Sequence, residues 1–339
     1  MEVLCSKAEI RERRPSAAAL GFFDGLHIGH ARLIDECVFY AKQHGLSADV
    51  FTFREHPKNI MCSKLVIPRL CTEAEKLCRI ENDFVRDGKG GVDRVFDFDF
   101  ADGFHTMTPD AFAKDLLKGA FCVEAVFCGF DFRFGADAAG DANMLVELGE
   151  RYGFDIFVLD PVYLEGQLVS STLVRSLIES GDVELANKML GRGYSLAGVV
   201  EKGRKLGRVL GFPTANFAPD PELTLPELGV YATVTEIVKG AGPEDSFLSV
   251  TNVGTAPTVC DSKAVRIETH LLGDPDRVDS EANGLIELYG EHIRVKFMKM
   301  LRKEQRFDNK EELVSQIAAD KEAALQYLQT NEKKSALPG

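Results

Sequence analysis

The sequence lacks the apolar runs of a membrane protein and the paired cysteines of a disulfide-stabilised protein. Its eight cysteines are scattered and no two of them have CxxC spacing, which favours reduced thiols in a cytoplasmic protein over a disulfide framework. No apolar run approaches the roughly 20 residues that a membrane-spanning helix needs, and no signal segment opens the chain. We therefore expect a soluble, cytoplasmic protein with no membrane partner.

Positive charge is also scarce. Lys and Arg together number 40 against 53 Asp and Glu, which gives a net charge of −13. Such a surface repels nucleic-acid phosphates, so we expect no nucleic-acid partner. A small anionic ligand in a locally basic pocket is still compatible with this balance. The 339 residues, 45% of them apolar, are enough for two domains with their own cores.

The first half of the chain alternates short apolar runs with amphipathic segments. One predicted helix, which Gly45 ends, has an apolar face made of Leu33, Ile34, Cys37, Val38 and Ala41. Thr72 with Glu75 forms a capping box, and residues 108–110 (TPD) start another helix. Strands are predicted at 49–53, 93–100, 123–130 and 155–160, of which 93–100 is expected to be half-buried. This order predicts an α/β, Rossmann-like domain whose parallel sheet binds its ligand at the C-terminal strand ends.

The pattern changes near residue 187. Short strands separated by turn residues are predicted at 195–202, 229–238, 247–253, 264–272 and 292–300. Strands at such short spacing indicate a small antiparallel β-barrel, and an amphipathic helix at about 310–328 follows it. We place the boundary between residues 186 and 187, which gives the domains 1–186 and 187–339.

The most informative segment is residues 21–30, GFFDGLHIGH. It reads as the end of a strand, a tight glycine turn and a helix N-terminus. Free backbone N–H groups and the helix dipole at such a junction bind anions, and His27 and His30 can donate hydrogen bonds to phosphate oxygens. Either histidine alone is more typical of a structural role, but the pair in a glycine turn indicates nucleotide chemistry.

Two further segments are expected to converge on this turn. Residues 129–135 (GFDFRFG) follow an apolar strand, and residues 170–175 (SSTLVR) place hydroxyls at a helix start with Arg175 one turn along. These donors suit a nucleoside triphosphate, and the expected reaction is attack by a phosphate on the nucleotide α-phosphate with loss of pyrophosphate. Two alternatives stay open: the hydroxyls are ordinary helix caps, and His56-Pro57 is an ordinary turn instead of a site loop.

The second half carries its own candidate chemistry. Residues 203–216 (GRKLGRVLGFPTAN) combine glycines and basic residues in a phosphate cover that ends in Thr214 and Asn216, whose oxygens suit Mg²⁺. Glu268 lies on the opposite face of its predicted strand from Ile267 and Thr269. A carboxylate on an open strand face can accept a proton from a substrate hydroxyl. The alternative is a surface pair with Arg266 that contributes little.

Together these motifs resemble the prokaryotic bifunctional riboflavin kinase/FAD synthetase family, over nearly the whole chain. The resemblance rests on GFFDGLHIGH, FTFREHP, GFDFRFG and SSTLVR in the first half and on GFPTAN, LPELGVYA, NVGTAPT and IETHLL in the second. The HIGH-type motif alone would indicate only a broad nucleotidyltransferase class. The combination of GFPTAN with IETHLL is specific to the kinase module.

The resemblance implies that the N-terminal domain is an FMN adenylyltransferase, or FAD synthetase, which converts FMN and ATP to FAD and pyrophosphate. His27 and His30 would be catalytic. The residues implied to contact ATP and its phosphates are Gly21, Phe23, Asp24, Gly25, Gly29, Ser171, Thr172 and Arg175. The residues implied to contact flavin are Phe53, Pro57 and Asp131.

The same resemblance implies that the C-terminal domain is a riboflavin kinase built on a six-stranded barrel. Glu268 would be the base that activates the riboflavin 5′-hydroxyl, and Thr214 and Asn216 would bind Mg²⁺. The further ATP contacts implied are Gly203, Gly207, Arg208 and Pro213. Mg²⁺ would be the cofactor, ATP the co-substrate, riboflavin and FMN the substrates, and FAD the final product, with at most weak self-association.

The chain departs from the family pattern at two positions. Glu55 stands where a proline is usual, which adds negative charge beside a site meant for phosphates, and Arg204 stands where an acidic residue is common. Glu55 leaves one alternative function open: a riboflavin kinase with a weakened or inactive adenylyltransferase module. The set of Thr214, Asn216 and Glu268 argues against a third hypothesis, a non-enzymatic flavin-binding or regulatory protein.

Overall fold

The computed structural model describes residues 1–62, 66–85, 91–201, 214–239, 242–256, 264–273 and 288–335. The chain divides into two compact units, Met1–Leu173 and Val174–Gly339. The domain boundary between residues 186 and 187 stays a prediction.

The first unit contains a six-stranded sheet in which every neighbouring pair is parallel. Its strands are β1 (Glu2–Leu4), β2 (Ser16–Leu20), β3 (Ser47–Phe53), β4 (Arg94–Phe98), β5 (Val123–Gly129) and β8 (Asp155–Leu159). They lie in the order β1-β4-β3-β2-β5-β8. The predicted parallel α/β architecture is therefore confirmed, and β1 is an edge strand that the sequence did not indicate.

Helices and short hairpins connect these strands. The helices are α1 (Ile28–His44), α2 (Pro57–Cys62), α3 (Glu73–Asn82), α4 (Pro109–Ala111), which continues as a π-type helix (Phe112–Ala120), and α5 (Ala142–Tyr152). The hairpins pair β6 (Arg133–Phe134) with β7 (Gly140–Asp141) and β9 (Tyr163–Leu164) with β10 (Gln167–Leu168). The predicted caps are present: Thr72 accepts the Glu75 N–H and Thr108 accepts the Ala111 N–H, each at 3.2 Å.

Apolar cores lie on both faces of this sheet. The predicted apolar face of α1 is buried in one of them, and Gly45 ends the helix at a positive φ of 67°, a conformation that glycine adopts at no steric cost. The half-buried prediction for β4 was wrong, because all five residues of β4 are buried. This strand lies between β1 and β3, and its Arg94 is paired with the buried Asp49, Nε to Oδ1 at 3.0 Å.

The second unit contains a six-stranded antiparallel sheet in the order β11-β16-β13-β14-β15-β12. Its strands are β11 (Tyr194–Val199), β12 (Ala215–Phe217), β13 (Gly229–Lys239), β14 (Gly242–Ala256), β15 (Ala264–Gly273) and β16 (His292–Lys303). The N–H of Glu201, just past β11, donates to the carbonyl of Asn216 in β12 at 2.8 Å. This bridge links the two end strands, so the predicted small barrel is confirmed with one further strand, β12.

Two helices precede the barrel strands along the chain: α6 (Ser171–Glu179), which begins in the first unit, and α7 (Val183–Leu190). Helix α8 (Lys310–Ser335) follows the barrel strands. The terminal helix α8 packs Ala324 and Leu328 against Ala232 and Leu248 of the sheet. In the part of the chain that the structure describes, no helix is long and apolar enough to cross a membrane.

Five buried hydroxyls form a closed ring of hydrogen bonds inside the barrel sheet. The ring runs from Thr251 to Thr269, Thr235, Ser249, Thr233 and back to Thr251, with distances between 2.7 and 3.1 Å. Each hydroxyl is fully buried, and each has two partners in the ring, so it can donate once and accept once. The ring joins β13, β14 and β15, and Thr269 is the neighbour of Glu268.

Candidate active sites

The first candidate site lies where the strand order of the parallel sheet reverses. Strand β2 has β3 on one side and β5 on the other, so the connections leave β2 and β5 in opposite directions. Ligands of open α/β sheets bind in the crevice at the carboxyl ends of such strands. Residues 21–30 follow β2 and residues 129–135 begin at the end of β5, as the sequence predicts.

The turn after β2 has an unusual backbone. Phe23, Gly25 and Leu26 all have positive φ, at 55°, 73° and 43°. The ring of Phe23 is fully buried under the turn, and a Cβ on Gly21 would lie 2.9 Å from its Cζ atom. Glycine at position 21 therefore permits the ring to fold back beneath the chain. Backbone strain of this kind is found at functional sites.

His27 is the N-cap of α1. Its Nδ1 atom accepts the backbone N–H of His30 at 3.2 Å, so the proton of the neutral ring lies on Nε2. The two imidazoles are stacked, with 3.6 Å between centroids and 16° between planes. The cap gives His27 a structural role, while the Nε2 proton is suited to a second role as a donor.

His30 is held as a neutral imidazole. Burial lowers its pKa well below the ordinary value, and the nearby His27 and Lys76 lower the pKa further. Its Nδ1 atom is buried and has no hydrogen-bond partner among the described residues. A buried polar atom without a partner is costly, so this atom is a candidate contact for a ligand.

The structure brings the start of α6 to the turn. The Ser171 hydroxyl donates to the carbonyl of Asp24 at 3.0 Å, and the Asp24 carboxylate accepts the N–H of Leu70 at 2.8 Å. The cap of α6 is Ser170, whose hydroxyl oxygen accepts the Leu173 N–H at 3.2 Å, so one of the hydroxyls of residues 170–172 is an ordinary helix cap. Thr172 and Arg175 lie further along the same helix.

The predicted flavin contacts follow the carboxyl ends of β3 and β5, the two strands on either side of β2. Phe53 ends β3 and packs its ring among Phe51, Phe100 and Phe104, which gives it a structural role of its own. Pro57 is the first residue of α2. Asp131 is exposed just after β5. A Cβ atom added to Gly129 would lie 3.2 Å from the Asp131 Oδ1 atom.

The loop between β3 and α2 carries Glu55, which is exposed. The next residue, His56, places its ring edge-on to Phe22 of the turn, with 5.0 Å between centroids. The loop with His56-Pro57 therefore contacts the turn of residues 21–27, which is named the phosphate turn after its predicted role, and the choice between a site loop and an ordinary turn stays a prediction.

Sequence reasoning missed a partly buried ionic cluster beside the turn, made of Arg54, Glu73, Lys76 and Asp97. Lys76 of α3 pairs with Glu73 at 3.0 Å, and Arg54 pairs with Asp97 of β4 at 3.3 Å. Burial raises the pKa of both carboxyls, that of Glu73 to about 7. The sequence signal for this cluster is Asp97, a charged residue between Phe96 and Phe98 in a predicted strand.

The second candidate site lies on β12 and β15 of the barrel. Glu268 is exposed and faces Asn216 directly in the strand register. The Asn216 amide nitrogen is 3.2 Å from the Thr214 carbonyl and 3.4 Å from its hydroxyl, so the three predicted residues are together. Arg266 pairs with Glu201. The predicted contacts Gly203, Gly207, Arg208 and Pro213, and the departure at Arg204, lie outside the described residues.

The fold and the two sites define a class: a transferase with a nucleotide-binding α/β unit and an antiparallel barrel unit. Comparison with known proteins identifies the family within this class. Residues 9–173 match the family model of FAD synthetase and residues 190–328 that of riboflavin kinase. The chain belongs to the bifunctional riboflavin kinase/FMN adenylyltransferase family.

Several relatives support this assignment along the whole chain. Proteins named bifunctional riboflavin kinase/FMN adenylyltransferase are 33% identical in Listeria monocytogenes over 90% of both chains and 35% identical in Escherichia coli over 91% of both. The relative in Bacillus subtilis is 31% identical over 93% of both chains. A crystal structure titled macrolide-efflux protein from Streptococcus pneumoniae is 27% identical, with a TM-score of 0.78 over 95% of this chain and 97% of that one.

Proposed function

We propose that this chain phosphorylates riboflavin to FMN in its barrel unit and adenylylates FMN to FAD in its α/β unit, with ATP as co-substrate in both steps. The observation that carries the proposal is the stacked His27–His30 pair at the sheet's switch point, where His30 has a buried nitrogen in need of a partner. The family membership covers both halves of the chain.

In adenylyl transfer, an FMN phosphate oxygen attacks the α-phosphorus of ATP and the bond to the β-phosphate oxygen breaks, which releases pyrophosphate. The imidazoles act as donors: Nε2–H of His27 and the N–H of neutral His30 meet oxygens whose negative charge grows in the transition state. The N-terminus of α1 supplies the positive end of the helix dipole.

Further contacts with the ATP phosphates are assigned to the turn and to the start of α6, at Gly21, Phe23, Asp24, Gly25, Gly29, Ser171, Thr172 and Arg175. The side chain and carbonyl of Asp24 have a structural role. The carboxylate accepts a hydrogen bond from the Leu70 N–H, and the carbonyl accepts one from the Ser171 hydroxyl. Phe53, Pro57 and Asp131 are assigned to flavin, and all three lie at the carboxyl ends of β3 and β5.

In riboflavin phosphorylation, Glu268 accepts the proton of the 5′-hydroxyl as that oxygen attacks the γ-phosphorus of ATP and ADP leaves. Its exposure on β15 leaves the carboxylate accessible to a substrate. Asn216, which is assigned to Mg²⁺, lies directly opposite Glu268 in the strand register.

Thr214 and Asn216 fit a partial Mg²⁺ site. The Asn216 amide nitrogen is oriented towards Thr214, which leaves the Asn216 side-chain oxygen as a hard donor. Mg²⁺ prefers a few protein oxygens completed by phosphates and water, so two neutral oxygens beside an ATP site suit it. Thr214 and Asn216 would hold the ion, and a bound Mg²⁺ would neutralise phosphate charge.

We further propose domains at 1–186 and 187–339, a cytoplasmic location and small-molecule partners without nucleic acid. The scattered cysteines support that location, and weak self-association is proposed for the chain.

A second candidate function is a riboflavin kinase with a weakened adenylyltransferase unit. The observation that favours it is the exposed carboxylate of Glu55 in the loop beside the phosphate turn. Under this alternative, FMN accumulates, and Glu55→Pro raises the rate of FAD formation.

Two substitutions test the residue assignments in one chain. Glu268→Gln should abolish FMN formation from riboflavin while FAD formation from added FMN continues. His30→Gln should do the reverse. Each variant's intact activity is the control for the folding of the protein, and retention of the targeted activity in either variant would overturn that assignment.

A further inference from the structure

Lys76 is a buried lysine to which neither proposed reaction gives a role. Its residue is only 3% exposed, and a buried ammonium is costly unless its protons are bound. All three protons have an acceptor: the Thr52 hydroxyl at 3.2 Å, the Phe53 carbonyl at 2.9 Å and Glu73 at 3.0 Å. The lysine is therefore fixed at the end of β3 and has no donor left for a substrate.

Through Thr52 this lysine reaches the phosphate turn. The Thr52 hydroxyl accepts from Lys76 and donates to the carbonyl of Phe22 at 2.9 Å. The ammonium also lies 5.3 Å from the centroid of the Phe22 ring, within the range of a cation–π contact. Two separate contacts thus connect helix α3 to the backbone and the side chain of one turn residue.

The same charge acts on the catalytic imidazole. Lys76 lowers the pKa of His30 together with burial and His27. Glu73, paired with Lys76 at 3.0 Å, opposes the lysine's charge, and Arg54, paired with Asp97 at 3.3 Å, adds a second positive charge nearby.

We propose that Lys76 is a positioning residue of the adenylyltransferase site: through Thr52 it fixes the Phe22 carbonyl and with it the turn that carries His27 and His30. This inference rests on the proposed adenylyl transfer. Lys76 touches neither ATP nor FMN, so its effect should appear in the rate of the chemical step more than in substrate binding.

The test uses three variants of the full-length protein. Lys76→Met keeps the length of the side chain but removes the charge and the hydrogen bonds. Thr52→Val removes the relay to Phe22 but keeps the charge. Arg79→Met is the matched control, because Arg79 lies on the same helix and pairs there with Glu75 at 3.1 Å.

For Lys76→Met we expect kcat of FAD formation from FMN to fall by about tenfold to a hundredfold, with smaller changes in the KM values. The acid limb of its pH profile should move to higher pH, because His30 then gains a proton more easily. Thr52→Val should lower kcat without moving that limb. Arg79→Met should change neither, and riboflavin phosphorylation should stay constant in all three variants.

The inference is overturned if Lys76→Met behaves like Arg79→Met, or if its kcat falls while the pH profile and the imidazole NMR titration of His30 stay unchanged. If Lys76→Met fails to fold because Glu73 loses its partner, the double variant Lys76→Met/Glu73→Gln and the single variant Thr52→Val replace it in the test. A wild-type kcat in Thr52→Val then overturns the positioning role. If the wild type itself makes no FAD, the proposed function fails, and the His30 titration alone then decides the effect of Lys76.

Discussion

The imidazole of His27 lies flat against that of His30, with 3.6 Å between the ring centroids, and its Nδ1 atom accepts the His30 backbone N–H. One side chain thus caps helix α1 and presents an Nε2 proton at the phosphate turn. The two roles are carried by different nitrogens, so a substitution can separate them.

His27→Asn should keep the cap and lose the donor. Asparagine is a good N-cap, so the free energy of unfolding should stay near the wild-type value. FAD formation from FMN should fall by about a hundredfold or more, as on loss of one transition-state donor. His27→Ala should lose activity equally and also about 1 kcal/mol of stability. Equal FAD rates in His27→Asn and the wild type would remove His27 from the catalytic set.

Gly29→Ala should separate stability from activity in the same turn. Alanine is favoured over glycine in a helix by up to about 1 kcal/mol, so unfolding should not become easier. The new Cβ would, however, lie 3.2 Å from both Cε1 and Nδ1 of His27, so the ring must shift. Steady-state kinetics should show slower FAD formation with unchanged riboflavin phosphorylation; an unchanged FAD rate would mean that the ring position does not matter.

The buried carboxyl of Glu73 should make the first unit less stable as pH rises. Burial raises its pKa to about 7, above the value of about 4.3 for an exposed glutamate. The folded state then binds more protons than the unfolded state, so stability is highest below the unfolded pKa and falls as pH rises through 7.

Urea titrations at pH 5 to 8 measure the free energy of unfolding at each pH. Unfolding is monitored by the NMR signals of the methyl groups of Val95, a buried residue of β4. Glu73→Gln should flatten the pH dependence, whereas Glu81→Gln, an exposed position on the same helix, should not. Parallel curves for the wild type and Glu73→Gln would show that this carboxyl does not hold its proton in the fold.

Opening the hydroxyl ring should destabilise the barrel. Thr251→Val keeps the shape but breaks two hydrogen bonds of the ring and leaves Thr233 and Thr269 each short of a buried partner, which costs about 1–3 kcal/mol. Urea titration followed by the Val253 methyls should show the loss. Thr255→Val, on the same strand outside the ring, is the control. Equal midpoints for the two variants would mean that the ring contributes nothing.

Much of the fold was predictable because it follows short-range patterns. The apolar face of α1, the caps at Thr72 and Thr108 and the alternation of strands and helices along the first half of the chain depend on periodicity and on local hydrogen bonds. The turn with His27 and His30 was predictable for the same reason, since glycines and a helix start mark it.

The features that were missed depend on partners distant in sequence. Lys76 reads as a solvent-facing residue of an amphipathic helix, and only the approach of β3 and β4 shows that it is buried. Strand β4 alternates Phe with Asp as a half-exposed strand would, yet neighbours on both sides bury it. Strand β12 has three residues and exists through its pairing with β15.

The central claim is that one chain carries both steps from riboflavin to FAD, and a time course on the purified protein tests it most directly. With riboflavin, ATP and Mg²⁺, chromatography should show FMN rising first and FAD following as FMN is consumed, with ADP and pyrophosphate as the two by-products. Accumulation of FMN with no FAD, even when FMN is supplied directly, would contradict the account.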